Sequence, residues 1–363
     1  MLIGVAKLWQ QGLLHDQMGI VAQNGTIMEI RPLDHDTPDH IVPLALPYLT
    51  DLQVNGGGGV MINSDPTPDG FRTVAAAHRR QGTGTILPTV ITDSPDVIAR
   101  AADAAIRTKG EPGLAGLHIE GPHIAPDRRG THDAAHIRPL DLATVTLVED
   151  LRAKDLPVMI TLAPELAAPD LFARLVACGA VVAGGHSAAT SDETKAALGR
   201  GLSCFTHLYN AMPPMTSRMP GILGAALNSD AYAGIIVDGI HVDWDMVRVA
   251  LRARPRAGLT FAVSDAMATV GGPDHFTLYG QRIAVRDGAL VNAEGSLAGA
   301  HINLVQSLRN LVTHVGLTLD MAIPMVSDIP RKVMGLPAND IAIGTAVDDM
   351  LCLRDDFSMM DIT

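Results

Sequence analysis

The chain is 363 residues long, 47 % hydrophobic and 18 % charged, with 35 glycines, 23 prolines and only 3 % aromatics. That composition excludes a disordered chain and calls for an aliphatic core interrupted by many tight turns. A net charge of −12, from 27 Lys and Arg against 39 Asp and Glu, leaves no basic surplus. Nucleic acid is thereby excluded as a partner, and an anionic ligand would need a local basic group to hold it.

Residues 1–45 read as small β-hairpins. Short apolar runs at 2–5, 18–22 and 26–30 are parted by turn signals such as Asn24-Gly25. So short a segment cannot bury a core alone. Apolar runs at 341–343 and 350–353 suggest a partner, giving an expected small β domain, a β-sandwich, from residues 1–45 plus 340–363. The N-terminus lacks the basic and apolar regions of a signal peptide, and no uninterrupted apolar stretch is long enough to span a membrane. Cys178, Cys204 and Cys352 are scattered and odd in number, which suits a reducing compartment. A cytoplasmic setting without membrane partners is expected.

From 46 to 339 the pattern alternates. Strands are expected at 46–54, 85–89, 116–119, 158–162, 180–183, 203–206, 234–237 and 260–263, several of them continuously apolar, as strands buried on both faces are. Helical stretches lie between them at 94–109, 140–154, 169–178, 191–199 and 244–253, with Ser94, Asp141, Ser191 and Asp243 as N-caps. Eight strands alternating with helices predict an α/β protein built on a (β/α)₈ barrel, with a doubly wound open sheet as the alternative. Turn signals at Tyr279-Gly280, Asp287-Gly288 and Glu294-Gly295 predict a β-hairpin inserted near 276–296.

Polar residues fall at the strand ends: Gln53 and Asn55 after the first strand, His118 and Glu120 after the third, then His186, His207, Asp238 with His241, and Asp265 after the fifth to eighth. In a parallel barrel these ends share one face, where active sites sit. A lone histidine there is more often a satisfied core residue, and a lone Asp265 is as readily a helix cap. Two histidines with a glutamate at the same mouth form the donor set of a hydrolytic metal site, so Glu120, His186 and His207 are the candidate ligands. Asp265 is then the candidate general base and acid beside the activated water. The run Asn55-Gly-Gly-Gly-Gly59 lacks the spacing of a phosphate loop and reads as a flexible loop. Of the nearby basic groups, Arg218 in the Gly- and Pro-rich loop after His207 suits an anionic group better than Arg128 or Arg129. Met212, Met215 and Met219 read as packing.

Six segments, Gly116-Leu-His-Ile-Glu-Gly-Pro122, Gly130-Thr-His132, Ala183-Gly-Gly-His-Ser-Ala-Ala-Thr190, Thr206-His-Leu-Tyr-Asn-Ala-Met-Pro213, Val237-Asp-Gly-Ile-His241 and Val263-Ser-Asp-Ala266, occur in order. Together they resemble the N-acetylglucosamine-6-phosphate deacetylases of the amidohydrolase superfamily, from about residue 46 to 313. The resemblance implies a metal-dependent barrel with a small β domain. It implies removal of acetyl from N-acetyl-D-glucosamine 6-phosphate by a catalytic cation on Glu120, His186 and His207, with Asp265 as base and acid. It also implies sugar-phosphate contacts from Thr131, His132, Asn210, Ala211, Arg218, His241 and the segment Leu297-Ala298-Gly299. Arg218 would meet the phosphate, in some members across a homodimer interface.

Many amidohydrolases carry His-x-His where this chain has Gln53-Val54-Asn55, a vestigial second-metal position, so one divalent ion per subunit is expected. Zinc is the first choice, with iron, cobalt or manganese also accepted by such ligands. The alternatives are a deacetylase of another N-acetylhexosamine phosphate, such as the galactosamine epimer, or a silent scaffold, against which the intact Glu/His/His/Asp set argues.

Overall fold

The computed structural model describes residues 1–291 and 297–362. The N-terminal strands β1 (Leu2–Gln10), β2 (Leu13–Gln23), β3 (Thr26–Pro32) and β4 (His40–Pro47) join β19 (Met350–Leu353) in one sheet of order β19-β4-β1-β2-β3. The two ends of the chain do meet, since β19 runs antiparallel to β4. The expected sandwich is, among the described residues, this single sheet. Ile3, Val5, Leu8, Ile20 and Val42 from its strands pack with Ile341, Val347 and Ile362, so the tail covers it with loops rather than a second sheet.

The eight parallel strands are β5 (Leu49–Val54), β8 (Thr83–Ile91), β9 (Leu117–Glu120), β10 (Val158–Leu162), β11 (Val181–Gly184), β12 (Cys204–Phe205), β13 (Tyr232–Ile235) and β14 (Thr260–Ala262). A short ribbon, β6 (Gly56–Gly57) and β7 (Val60–Met61), follows β5. Around the barrel stand α1 (Pro68–Arg79), α2 (Pro95–Arg107), α3 (Leu142–Ala153), α4 (Pro169–Ala177), α5 (Ser191–Gly199), α6 (Gly221–Leu227) and α7 (Trp244–Ala253). The ring continues with α8 (Leu304–Asn310), α9 (Leu319–Val326) and α10 (Asp328–Met334).

Ser94, Asp141 and Asp243 cap helices as their side chains suggest. For α5 the cap is Thr190, not Ser191: its hydroxyl accepts the Glu193 N–H while Glu193 accepts the Thr190 N–H, a reciprocal box that one residue's shift would break. The expected hairpin is one part of a four-stranded meander, β15 (His275–Leu278), β16 (Gln281–Arg286), β17 (Ala289–Val291) and β18 (Leu297–Ala300). The Glu294-Gly295 turn lies outside the described residues.

The barrel closes between β5 and β14 with few backbone bonds. Asn55 and Gly56 both donate to the Ala266 carbonyl, at 2.9 and 3.0 Å. Deeper in, the carboxylate of Asp51 takes the place of a missing strand carbonyl: it accepts the N–H of Ser264 at 3.2 Å and that of Gln53 at 3.1 Å. Burial pushes Asp51 from 3.8 up to about 7, against the hydrogen bonds from Ser264 and Gln53, which favour its ionised form.

Between those two pH values the folded chain holds a proton that the unfolded chain has released. The group's contribution to stability is therefore full below about 4 and is lost as pH rises through about 7. Asp51→Asn removes this slope. From pH 4 to pH 8 the urea-unfolding difference between wild type and variant is expected to move in the variant's favour, by up to about 4 kcal/mol. A pH-independent difference would show that Asp51 is ionised throughout.

Candidate functional site

The mouth of the barrel holds a cavity of about 170 Å³ lined by Asn55, Glu120, Thr131, His132, His186, His207, Asn210, Ala211, His241, Asp265, Leu297 and Gly299, with Ile91, Gly130 and Met267. A larger hollow, about 460 Å³, lies by the C-terminal tail between Tyr48 and Met360 and contains none of these groups.

The backbone at the mouth is bent to aim side chains inward. His186, His207, Tyr209, Ala211 and Asp265 all have positive φ, at 48°, 23°, 75°, 53° and 50°. Such conformations cost free energy in non-glycine residues and persist only where their surroundings hold them. One holder is Glu165, whose carboxylate accepts the Ser187 hydroxyl and the Ala188 N–H, each at 2.7 Å, directly after His186.

Glu120 ends β9, and its Oε1 lies 3.2 Å from His186 Nε2 and 3.0 Å from His207 Nε2. The two imidazole nitrogens are 3.1 Å apart. Hydrogen bonding fixes which nitrogen His186 offers. His186 Nδ1 donates to the Arg128 carbonyl at 2.8 Å, since a carbonyl can only accept, and this leaves Nε2 as the nitrogen that faces the cluster. Burial opposes ionisation of Glu120, yet the hydrogen bonds and charge of His186 and His207 hold it well below the usual carboxylate range. His207, beside that carboxylate, is raised in spite of burial.

By distance alone, Glu120, His132 and His186 form a second triad, with ligand atoms within 4.8 Å of one another. Protonation separates the two. His132 Nδ1 accepts from the Thr92 N–H at 3.4 Å and lies 2.7 Å from the Thr92 hydroxyl. Its Nε2 therefore carries the hydrogen and is a donor. Burial, and then the neighbouring His186, lower its pKa well below the usual value, which keeps the ring neutral. The converging set Glu120, His186 and His207, two imidazoles and a carboxylate at hydrogen-bond distance, fits one divalent cation.

Asp265 Oδ1 accepts from Asn55 Nδ2 at 2.7 Å and from Gln53 Nε2 at 3.1 Å. Gln53 Nε2 also donates to Glu120 Oε1 at 3.0 Å. Gln53 thus puts an N–H donor between the two carboxylates, while Asn55 donates to Asp265 alone. Burial, and next the Glu120 carboxylate, push Asp265 up to about 6. His241 Nδ1 donates to Asp238 Oδ2 at 2.6 Å, and the backbone N–H groups of Ile240 and His241 donate to Oδ1 of the same carboxylate. Asp238 lies outside the cavity and orients His241. Burial works against its ionisation, but the hydrogen bond and charge of His241 hold it below the usual range.

Three expected positions fall elsewhere. His118 is buried beneath the cavity, its ring bonded to the Leu52 carbonyl and the Thr161 hydroxyl, and burial lowers its pKa to about 4; it is a neutral core residue. Ala298 is buried in the meander's own small core and does not line the cavity. Arg218 stands exposed outside the cavity of its own chain. Sequence reading missed Ile91 and Met267, which as apolar residues carry no chemical signal, and Thr92, which fixes the proton on His132.

No protein-family model matches the chain. The chain is 37 % identical, over 94 % of its length and 89 % of the relative's, to N-acetylgalactosamine-6-phosphate deacetylase of Shewanella sp. (strain ANA-3). It is 34 % identical, over 79 % of its length and 76 % of the relative's, to N-acetylglucosamine-6-phosphate deacetylase of Haemophilus influenzae. The crystal structure of N-acetylglucosamine-6-phosphate deacetylase from Pasteurella multocida superposes with a TM-score of 0.88 at 30 % identity, covering 99 % of this chain and 97 % of that one.

Proposed function

Because the chain belongs to the N-acetylglucosamine- and N-acetylgalactosamine-6-phosphate deacetylases of the amidohydrolase superfamily, we propose that it hydrolyses N-acetyl-D-glucosamine 6-phosphate to D-glucosamine 6-phosphate and acetate. The observation that carries this reading is the convergence of Glu120, His186 and His207 beside Asp265 at the barrel mouth. The galactosamine epimer is the second reading, favoured by the Shewanella relative. Acetate release from both epimers, with and without chelator, tests the assignment. Release from neither would overturn it.

Glu120, His186 and His207 would hold one divalent cation, for which zinc suits the imidazole and carboxylate donors and iron, cobalt or manganese are also accepted. When bound, it supplies Lewis-acid polarisation and lowers the pKa of water. Asp265 takes the proton of the attacking water as its oxygen adds to the acetyl carbon, then gives that proton to the amine nitrogen as the C–N bond breaks. His241, oriented by Asp238 through its Nδ1 at 2.6 Å, stands by the carbonyl oxygen as negative charge builds there. His132 donates from Nε2 to the sugar. Thr131, Asn210 and Ala211 face the sugar phosphate, and Leu297 and Gly299 close its far side.

Arg218 has exposed Met215 and Met219 for neighbours, a surface suited to a second copy of the chain, so that the arginine meets the partner's phosphate. Arg218→Ala is expected to raise KM for the phosphorylated substrate by roughly 10- to 100-fold, as for one lost charged hydrogen-bond pair. KM for an unphosphorylated analogue should stay unchanged; an equal rise for both would remove Arg218 from the phosphate. Three free cysteines and a phosphorylated substrate, which does not cross membranes unaided, support a cytoplasmic setting. No helix among the described residues is long and apolar enough to cross a membrane.

A further inference from the structure

Nine of the fifteen residues that line the cavity carry polar side chains, and the apolar ones are informative. Among the described residues, only Ile91, Met267 and Leu297 present apolar side chains larger than a methyl group. Leu297 is 41 % exposed and forms part of the rim, whereas Ile91 and Met267 are 1 % and 2 % exposed and form the floor. Met267 lies two residues beyond Asp265 and is tied by its N–H to the Ala300 carbonyl at 3.3 Å.

The thioether is pinned. A Cβ on Gly299 would sit 2.2 Å from Met267 Cε and 2.6 Å from Cγ, so the missing side chain at 299, at φ +68°, is the space the thioether fills. Behind it stand Phe276, Leu278, Ile283 and Leu290 of the meander, in a small core that also holds Ile91 and Met267 but is separate from that of the barrel. The insert between β14 and α8 thus buttresses one wall of the site.

Of the groups that project from the sugar ring, hydroxyls and phosphate are polar, and the N-acetyl branch is the one that ends in an apolar methyl. A hydroxyl against Ile91 and Met267 would lose its hydrogen bonds, whereas a methyl group loses nothing there. The methyl is one bond from the carbon attacked beside Asp265, which keeps it within reach of a side chain two residues along. Resting on the deacetylase reading above, we propose that Met267, with Ile91, forms the acyl wall of the site and confines the N-acyl group to acetyl.

The test is a chain-length series: kcat/KM for the N-acetyl, N-propionyl and N-butyryl forms of glucosamine 6-phosphate. In Met267→Ala the butyryl-to-acetyl ratio is expected to rise at least about tenfold over wild type, the scale on which an apolar pocket senses added methylenes. Ile91→Ala, in the same small core, should raise the same ratio and serves if the first variant does not fold. General loosening of the fold would depress all three substrates together and leave the ratio in place. Acetate release by the wild-type chain reads the deacetylase assignment separately. With that release present, an unchanged ratio in a folded variant overturns the acyl wall.

Discussion

Asp265→Asn is expected to lower kcat by roughly three orders of magnitude, with KM within a few-fold of wild type and metal content unchanged. The geometry makes this a clean substitution. One carboxylate oxygen, Oδ1, already accepts from Asn55 and Gln53, at 2.7 and 3.1 Å. An asparagine keeps an oxygen there for both donors and turns its amide nitrogen toward the cavity. Shape and contacts survive, and what is lost is a group that can accept a proton. In the proposed mechanism the same carboxylate serves both proton transfers, from the water and to the departing nitrogen, so its loss removes both at once. Steady-state kinetics with elemental analysis of the same preparation checks it. Near-normal turnover would remove Asp265 from its role.

The barrel and the cluster at its mouth were legible because both rest on local signals. Continuous apolar runs such as 180–183 suit strands buried on both faces, as in a parallel sheet, and the polar residues that end those runs must then share one rim. What stayed hidden depends on contacts across the fold. Asp51 reads as an ordinary strand residue, yet it bridges β5 to Ser264 where the ladder fails. His118 and Glu120 are two residues apart and look alike as strand-end polar groups. They part because the ring turns down onto Leu52 and Thr161 while the carboxylate turns up to the histidines. Met267 carries no signal at all until Gly299 and the meander are placed around it. Arg218 cannot be placed from one chain, since its own cavity does not include it.

Replacing His186 or His207 by Ala is expected to act on a different quantity, metal content. In the proposed ligand set each ring supplies one of three protein donors, at 3.0–3.2 Å from Glu120 Oε1. Even disturbing a ligand's outer hydrogen bond commonly costs 10- to 100-fold in affinity, so deleting a ligand should cost more. Occupancy should fall from about one ion per chain to a small fraction after gel filtration. Turnover should fall with it and recover in part when excess divalent metal is added. Chelation of the wild type should reproduce the loss and, unlike the variants, be fully reversed by metal. His132→Ala supplies the contrast. If Thr92 keeps the hydrogen on His132 Nε2, that ring is a donor to substrate, and its loss should lower kcat/KM at full metal content. Full occupancy in His207→Ala with loss in His132→Ala would instead put the cation on the alternative triad of Glu120, His132 and His186. The ring now taken as a substrate donor would then be a ligand.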